Sequence, residues 1–137
     1  MNLLLLPHQL YSTSHLNKKY TIFLWECPHY FSKYKYNKKK IILHRASMKA
    51  YYHELISKQY RIKYIDIHSK LDASLPYVMF DPIDKLSLSI TNITMIESPN
   101  FFLSKMQYSE YRKKTKHFIF NNFYKWAKKK TNIIPSI

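Results

Sequence analysis

The sequence predicts an α/β fold with a mostly parallel sheet, shortened in its second half and followed by C-terminal helices. Three observations carry this. Short apolar or β-rich runs stand where buried strands belong, an amphipathic helix separates the second run from the third, and the last third turns lysine-rich and aromatic at helical spacing. Strand, helix, strand in the first half implies a right-handed crossover between parallel strands.

Taken in order, Leu3 to Leu6 is a continuous apolar run, and Tyr20 to Trp25 is a second run rich in β-formers. Between about Lys38 and Lys58, Ile41, Met48, Tyr51, Tyr52 and Leu55 return at helical spacing, with Lys39, Lys49 and Lys58 mostly off that stripe. Arg61 to Ile67 alternates apolar and polar residues as a half-buried strand does, and Tyr77–Phe80 and Ile93–Ile96 read as two more strands. Ser104 can cap a helix running to about Lys114. A last helix from about Ile119 to Thr131 places Phe120, Phe123, Tyr124 and Ala127 on one face and Lys125, Lys128 and Lys129 on another. The resulting division is an α/β domain over 1–103 and a basic, aromatic helical segment over 104–137.

A length of 137 residues, 46% of them hydrophobic, suits one domain with a real core. The single cysteine, Cys27, excludes an internal disulfide, a Cys-x-x-Cys metal site and a four-thiolate cluster within these residues, and suits an intracellular protein. Met1-Asn-Leu-Leu-Leu-Leu6 resembles the start of a signal peptide, but Pro7 stops the apolar run short of the roughly 7 to 15 residues required. No run approaches the ~18 apolar residues of a membrane span, so no membrane role is implied.

The net charge of +15 is unevenly placed: residues 1–60 carry ten Lys/Arg against two acids, 61–100 four against five, and 101–137 nine against one. Basic ends of this kind suit a polyanion, because lysines facing phosphates release counterions. A compositional reading competes. Only Arg45, Arg61 and Arg112 are arginine among 23 basic residues, and abundant Lys, Ile, Asn, Tyr and Phe mark AT-rich coding DNA.

The order of short motifs resembles the deoxyribodipyrimidine photolyase-related proteins, which include the bacterial iron-sulfur photolyases and cryptochromes. Leu6-Pro-His-Gln-Leu10 stands where that family has Leu-Gly-Asp-Gln-Leu after its first strand, and Glu26 follows the second strand as the family's glutamate does. Lys38 to Ile41 and Ala46-Ser-Met48 resemble its lysine-rich helix start and Ser-Ala-Met segment. Phe80-Asp-Pro-Ile-Asp84 resembles a Glu-Pro-Gly-Glu turn, Asn100-Phe-Phe-Leu103 an Arg-Phe-Leu, and Lys116 to Ile134 a Met-Glu-Tyr-Phe-Tyr-Arg segment ending Thr-Gly-Leu-Leu. The resemblance covers the family's N-terminal portion. It implies a Rossmann-like (flavodoxin-like) antenna domain able to hold a lumazine-type chromophore. The flavin (FAD), the iron-sulfur cluster and the lesion chemistry belong to a larger helical region that lies beyond the matched part, so neither group is expected in this chain and photolyase activity is not expected of it alone.

Departures from the pattern define further expectations. There is no glycine, and Pro7, Ile83 and Asn132 stand at the family's glycine positions. Asparagine tolerates the left-handed conformation that ends a helix, whereas proline removes a donor and a β-branched residue disfavours positive φ, so the turns after the first and fourth strands are expected to change shape. The connections from Ile67 to Tyr77 and from Phe80 to Ile93 are short for parallel crossovers, the second offering at most a short helix around Asp84 to Ser89. The second half of the sheet is then either rearranged, with an antiparallel pair, or the mark of an eroded copy.

Ligands in open α/β sheets bind beyond the carboxyl ends of the strands. His8, Gln9, Glu26 and, from the helix stripe, His44 are the candidate cofactor-binding residues, with Cys27 nearby; the structural alternative for His44 is a hydrogen-bonded core histidine. No His pair or acidic cluster suggests a metal, and no P-loop, Gly-rich fingerprint or nucleophile with its base is present. Trp25 and Trp126 read as packing residues. Lys113, Lys114, Lys116, Lys125, Lys128 and Lys129 are the candidate nucleic-acid contacts beside stacking rings, against the plainer reading that the aromatics pack on the sheet and the lysines are solvated. Three functional readings follow: a noncatalytic photolyase-related N-terminal domain, with a separate helical flavin-binding chain as partner in a split repair protein; a basic protein that binds DNA; or a relic without activity.

Overall fold

The structure is a computed structural model and describes all residues except 85, 87, 89 and 134–137. The expected short helix around Asp84 to Ser89, and Ile134 at the end of the motif match, therefore lie partly or wholly outside the described residues. The chain divides into two compact units, Met1–Ser98 and Pro99–Ile137.

In the first unit the strands are β1 (Asn2–Leu5), β2 (Thr21–Trp25), β3 (Arg61–Ile65), β4 (Tyr77–Phe80) and β5 (Ile93–Ile96), with helices α1 (Pro28–Phe31) and α2 (Lys38–Ser57) between β2 and β3. They form one sheet in the order β3-β2-β1-β4-β5. All four pairings are parallel, and Leu4 lies between Phe23 and Met79. The fold is thus α/β and Rossmann-like, shortened as expected. The antiparallel pair allowed for above does not occur. The eleven residues 66–76 joining β3 to β4 reach up to about 36 Å when extended, ample for a return across two strands spaced about 4.8 Å apart without a helix.

Strand alternation sorts the core into two layers. Leu3, Leu5, Ile22 and Leu24 point toward α2 and pack with Met48, Tyr51 and Leu55, the stripe expected from the sequence. Leu4, Leu6, Phe23, Tyr77 and Met79 face the other way. Among the described residues of this unit no long helix covers them. Cys27, Ile90, Leu71, Leu75, Leu86 and Leu88 close that face instead, most of them from the two short crossovers. A fully buried leucine contributes about 2 kcal/mol; the four loop leucines are partly buried and each contributes less, so the loops replace only part of what a crossover helix would bury.

Local signals set the helix ends. Asn37 caps α2 by accepting from Lys39 N–H at 2.9 Å, and Pro28 opens α1 at the position where a missing N–H costs nothing. Among the described residues, three that are not glycine take positive φ: Gln59 (φ 61°), Ile83 (φ 69°) and Asn132 (φ 50°). Asn132 ends a helix as expected. Ile83 corrects the expectation that a β-branched residue would avoid positive φ, because Asp81 Oδ1 accepts its N–H at 2.9 Å and holds the turn. Left-handed backbone costs such a residue about 1–2 kcal/mol, and Ile83 is 56% exposed, so little burial is at stake. Ile83→Gly is accordingly expected to raise stability by about 1 kcal/mol after the entropy of the more flexible unfolded chain is subtracted. A urea midpoint unchanged or lowered would contradict that.

The second unit contains α3 (Lys105–Lys114) and α4 (Phe120–Thr131). Ser104 and Gln107 form a capping box at the start of α3. Tyr111, buried on α3, meets Trp126 at 4.8 Å and Phe123 at 5.3 Å between ring centroids, and Phe118 and Tyr108 close on Phe123. The packed face of α4 is therefore Phe123, Trp126 and Ala127. Phe120 and Tyr124, expected on that face, are exposed. Tyr111 packs on the Phe123 and Trp126 rings, and the face so chosen leaves Phe120 and Tyr124 outward. Among the described residues no helix is long and apolar enough to cross a membrane.

Candidate functional site

The strand order makes β1 the point from which the chain first winds out to β2 and β3 and then returns to β4 and β5. Ligand crevices of open α/β sheets lie at such a switch, beyond the carboxyl ends. His8 and Gln9 follow β1, Glu26 and Cys27 follow β2, and Asp81 to Asp84 follow β4.

Glu26 is 1% exposed and bound on all sides. Arg45 of α2 donates to it from Nε at 2.9 and 3.1 Å and from Nη2 at 2.7 Å. The Tyr64 hydroxyl donates to Oε1 and the Ile67 N–H to Oε2 at 3.0 Å, while Glu26 N–H itself donates to the Ile65 carbonyl at 2.8 Å. Burial alone would raise the carboxyl's pKa, but the hydrogen bonds from Arg45, Tyr64 and Ile67 and the guanidinium charge outweigh it and hold Glu26 below the ordinary carboxylate value. Tyr64 is pushed up by burial and by its bond to Glu26, and Lys49 Nζ sits 3.4 Å from its ring centroid. One carboxylate thus ties β2, α2 and β3 together.

Gln9 is fully buried and also committed. Its Nε2 donates to the Phe80 carbonyl at 2.8 Å and its Oε1 accepts the Leu6 N–H at 3.2 Å, joining the ends of β1 and β4. Cys27 is buried, and burial pushes its thiol up.

His8 and His44 are placed differently. The His8 ring lies 4.8 Å from that of Tyr30 on α1, and Tyr30 donates to Asp84 Oδ2 at 2.9 Å. Desolvation, helped by the His44 charge, lowers the His8 pKa against the opposing pull of Asp84 and the Pro82 carbonyl. His44 stands edge-on to Phe31 at 6.0 Å and is lowered by burial and by Lys40. His8 and His44 are thus near enough for their charges to interact, and burial lowers the pKa of both. A cavity of about 340 Å³ adjoins Asp84 between the β4–β5 crossover and Ile93.

This geometry tests the fit of a lumazine-type chromophore. Such a group needs polar partners from the chain, but Glu26 and Gln9 have spent theirs on Arg45, Tyr64, Ile67, Leu6 and Phe80. Of the four candidate residues, Glu26 and Gln9 are therefore not free to hold such a group. Sequence reading missed Arg45, Tyr64, Tyr30 and Asp84. One signal was available for Arg45: in a chain that uses lysine almost everywhere, an arginine marks a place where a planar, bidentate donor is needed.

In the second unit Lys113, Lys114, Lys116, Lys125 and Lys129 are exposed and Lys128 is half-buried. Several stand in the last turns of α3 and α4, where cations also offset the helix dipole. Beside them Phe101, Phe102, Met106, Phe118, Ile119, Phe120 and Tyr124 are exposed, Phe102 at 79% and Phe120 at 70%.

The two units present a shortened parallel α/β sheet followed by an aromatic helix pair. Residues 3–89 and 77–134 match the sequence model of the deoxyribodipyrimidine photo-lyase-related proteins, and the chain belongs to that family. A search of curated proteins gave no match.

Proposed function

We propose that this chain is a noncatalytic photolyase-related domain whose second unit docks a helical, flavin-binding polypeptide. The exposed aromatic surface of residues 101–124 carries the reading. Apolar side chains clustered in this way lose water only against a partner, and large exposed apolar patches mark interaction sites. The buried Glu26 charge is fully hydrogen-bonded, which weighs against a relic too eroded to fold.

The second reading, a DNA-binding protein, is favoured by the exposed lysines that flank the same rings, a pattern suited to phosphates and stacked bases. One experiment separates the two. The chain is mixed with the flavin-binding helical region of a photolyase-related protein, and separately with duplex and single-stranded DNA at low salt. A co-eluting complex that Phe102→Asp with Phe120→Asp abolishes supports docking. Failure to co-elute, with DNA binding that weakens steeply as salt rises, supports the second reading and overturns the first.

A further inference from the structure

The sheet of the first unit ends in two unlike edges. β3 carries Arg61 and Lys63, cations that keep an edge from pairing with another chain. β5 carries none: residues 90–96, Ile-Thr-Asn-Ile-Thr-Met-Ile, have no charge and no proline. Its burial differs too. Thr94, Met95 and Ile96 are exposed, Met95 at 54%, in a strand whose partner β4 is almost wholly buried. The ladder fixes which backbone groups face out. Tyr77 N–H bonds to the Asn92 carbonyl at 3.0 Å and Asp81 N–H to the Ile96 carbonyl at 2.8 Å, so even-numbered residues of β5 face β4, and the N–H and C=O of Ile93 and Met95 point to the outer edge.

We propose that β5 is a pairing edge for a second copy of this chain, joined antiparallel about a two-fold axis at Thr94 into one continuous ten-stranded sheet. Charge chooses this occupant. Two molecules of net charge +15 repel each other, and each basic end carries +8, whereas β5, within the segment 61–100 of net charge −1, adds nothing to that repulsion. β5 is the uncharged edge inside that segment. A two-fold here is self-complementary: outward Ile93 meets outward Met95 of the second copy in both directions, and threonine meets threonine on the axis. An acidic or basic peptide strand would find no charge on β5 to recognise.

The test is sedimentation of the full chain over a concentration series, at low salt and at about 0.5 M salt, where self-repulsion is screened within roughly 4–5 Å. The expected result is a monomer–dimer equilibrium that strengthens with salt, abolished by Met95→Lys and by Thr94→Lys. Both variants change exposed side chains and should keep the wild-type circular dichroism and melt, which shows that lost association is not lost folding. A wild-type chain that stays monomeric at both salt concentrations overturns the proposal. So does a dimer that survives both lysine variants, and so does one that Phe102→Asp with Phe120→Asp dissolves while Met95→Lys leaves it intact.

Discussion

Arg45→Met is expected to lower stability at pH 7 by about 3 kcal/mol, because it leaves the buried Glu26 carboxylate without its countercharge. This is the lower end of the usual range for such a loss, as Arg45 is itself 44% exposed and water can replace part of it. Glu26→Gln should cost less, since an uncharged amide is cheaper to bury. The pH dependence gives the sign. In the wild type the folded-state pKa of Glu26 lies below its unfolded value of about 4.3, so its contribution is full above that value and is lost as pH falls through the folded one. In the variant only the Tyr64 and Ile67 hydrogen bonds still oppose burial, so the folded pKa rises from its wild-type position and the penalty grows as pH rises and the carboxyl ionises. The gap between wild type and variant is therefore widest near neutrality, narrows as pH falls through the variant's folded pKa, and closes only below the lowered folded pKa of the wild type. Urea denaturation at several pH values measures it; a gap independent of pH would show that Arg45 acts by packing alone.

Gln9→Leu is the second large effect, at about 2 kcal/mol. Leucine has similar bulk, but it strips partners from two buried backbone groups, the Leu6 N–H and the Phe80 carbonyl. Those groups close the switch point between β1 and β4. Besides a lower denaturation midpoint, the Leu6 amide should exchange with solvent faster than its strand neighbours. Unchanged Leu6 protection with wild-type stability would mean that Gln9 does not staple the strands and is available to a ligand.

These two residues show what sequence could and could not supply. Position was legible: residues just after β1 and β2 were expected at the carboxyl ends of the sheet, and Gln9 and Glu26 are there. Use was not. Whether a buried carboxylate serves a ligand or the fold depends on what α2 and β3 bring to it, and Arg45 and Tyr64 lie 19 and 38 residues further along the chain. The strands and long helices were legible because each is a local pattern; Tyr77–Phe80 and Ile93–Ile96 have the expected bounds. The mostly parallel sheet was legible too, but the short crossovers left an antiparallel pair open, because the loop leucines that pack beneath β4 lie outside any periodic segment. The face of α4 was misjudged for a related reason. Phe120 and Phe123 are equally apolar in sequence, and only the placement of Tyr111 decides which one is packed.

The docking proposal is tested most directly by titrating the flavin-binding helical region of a photolyase-related protein into this chain and following complex mass by sedimentation velocity at low and at about 0.5 M salt. An apolar interface predicts a one-to-one complex that persists at the higher salt, where exposed charge pairs are screened, and that disappears with Phe102→Asp and Phe120→Asp. No complex at either salt concentration, or one lost on raising the salt yet indifferent to those two substitutions, would contradict it.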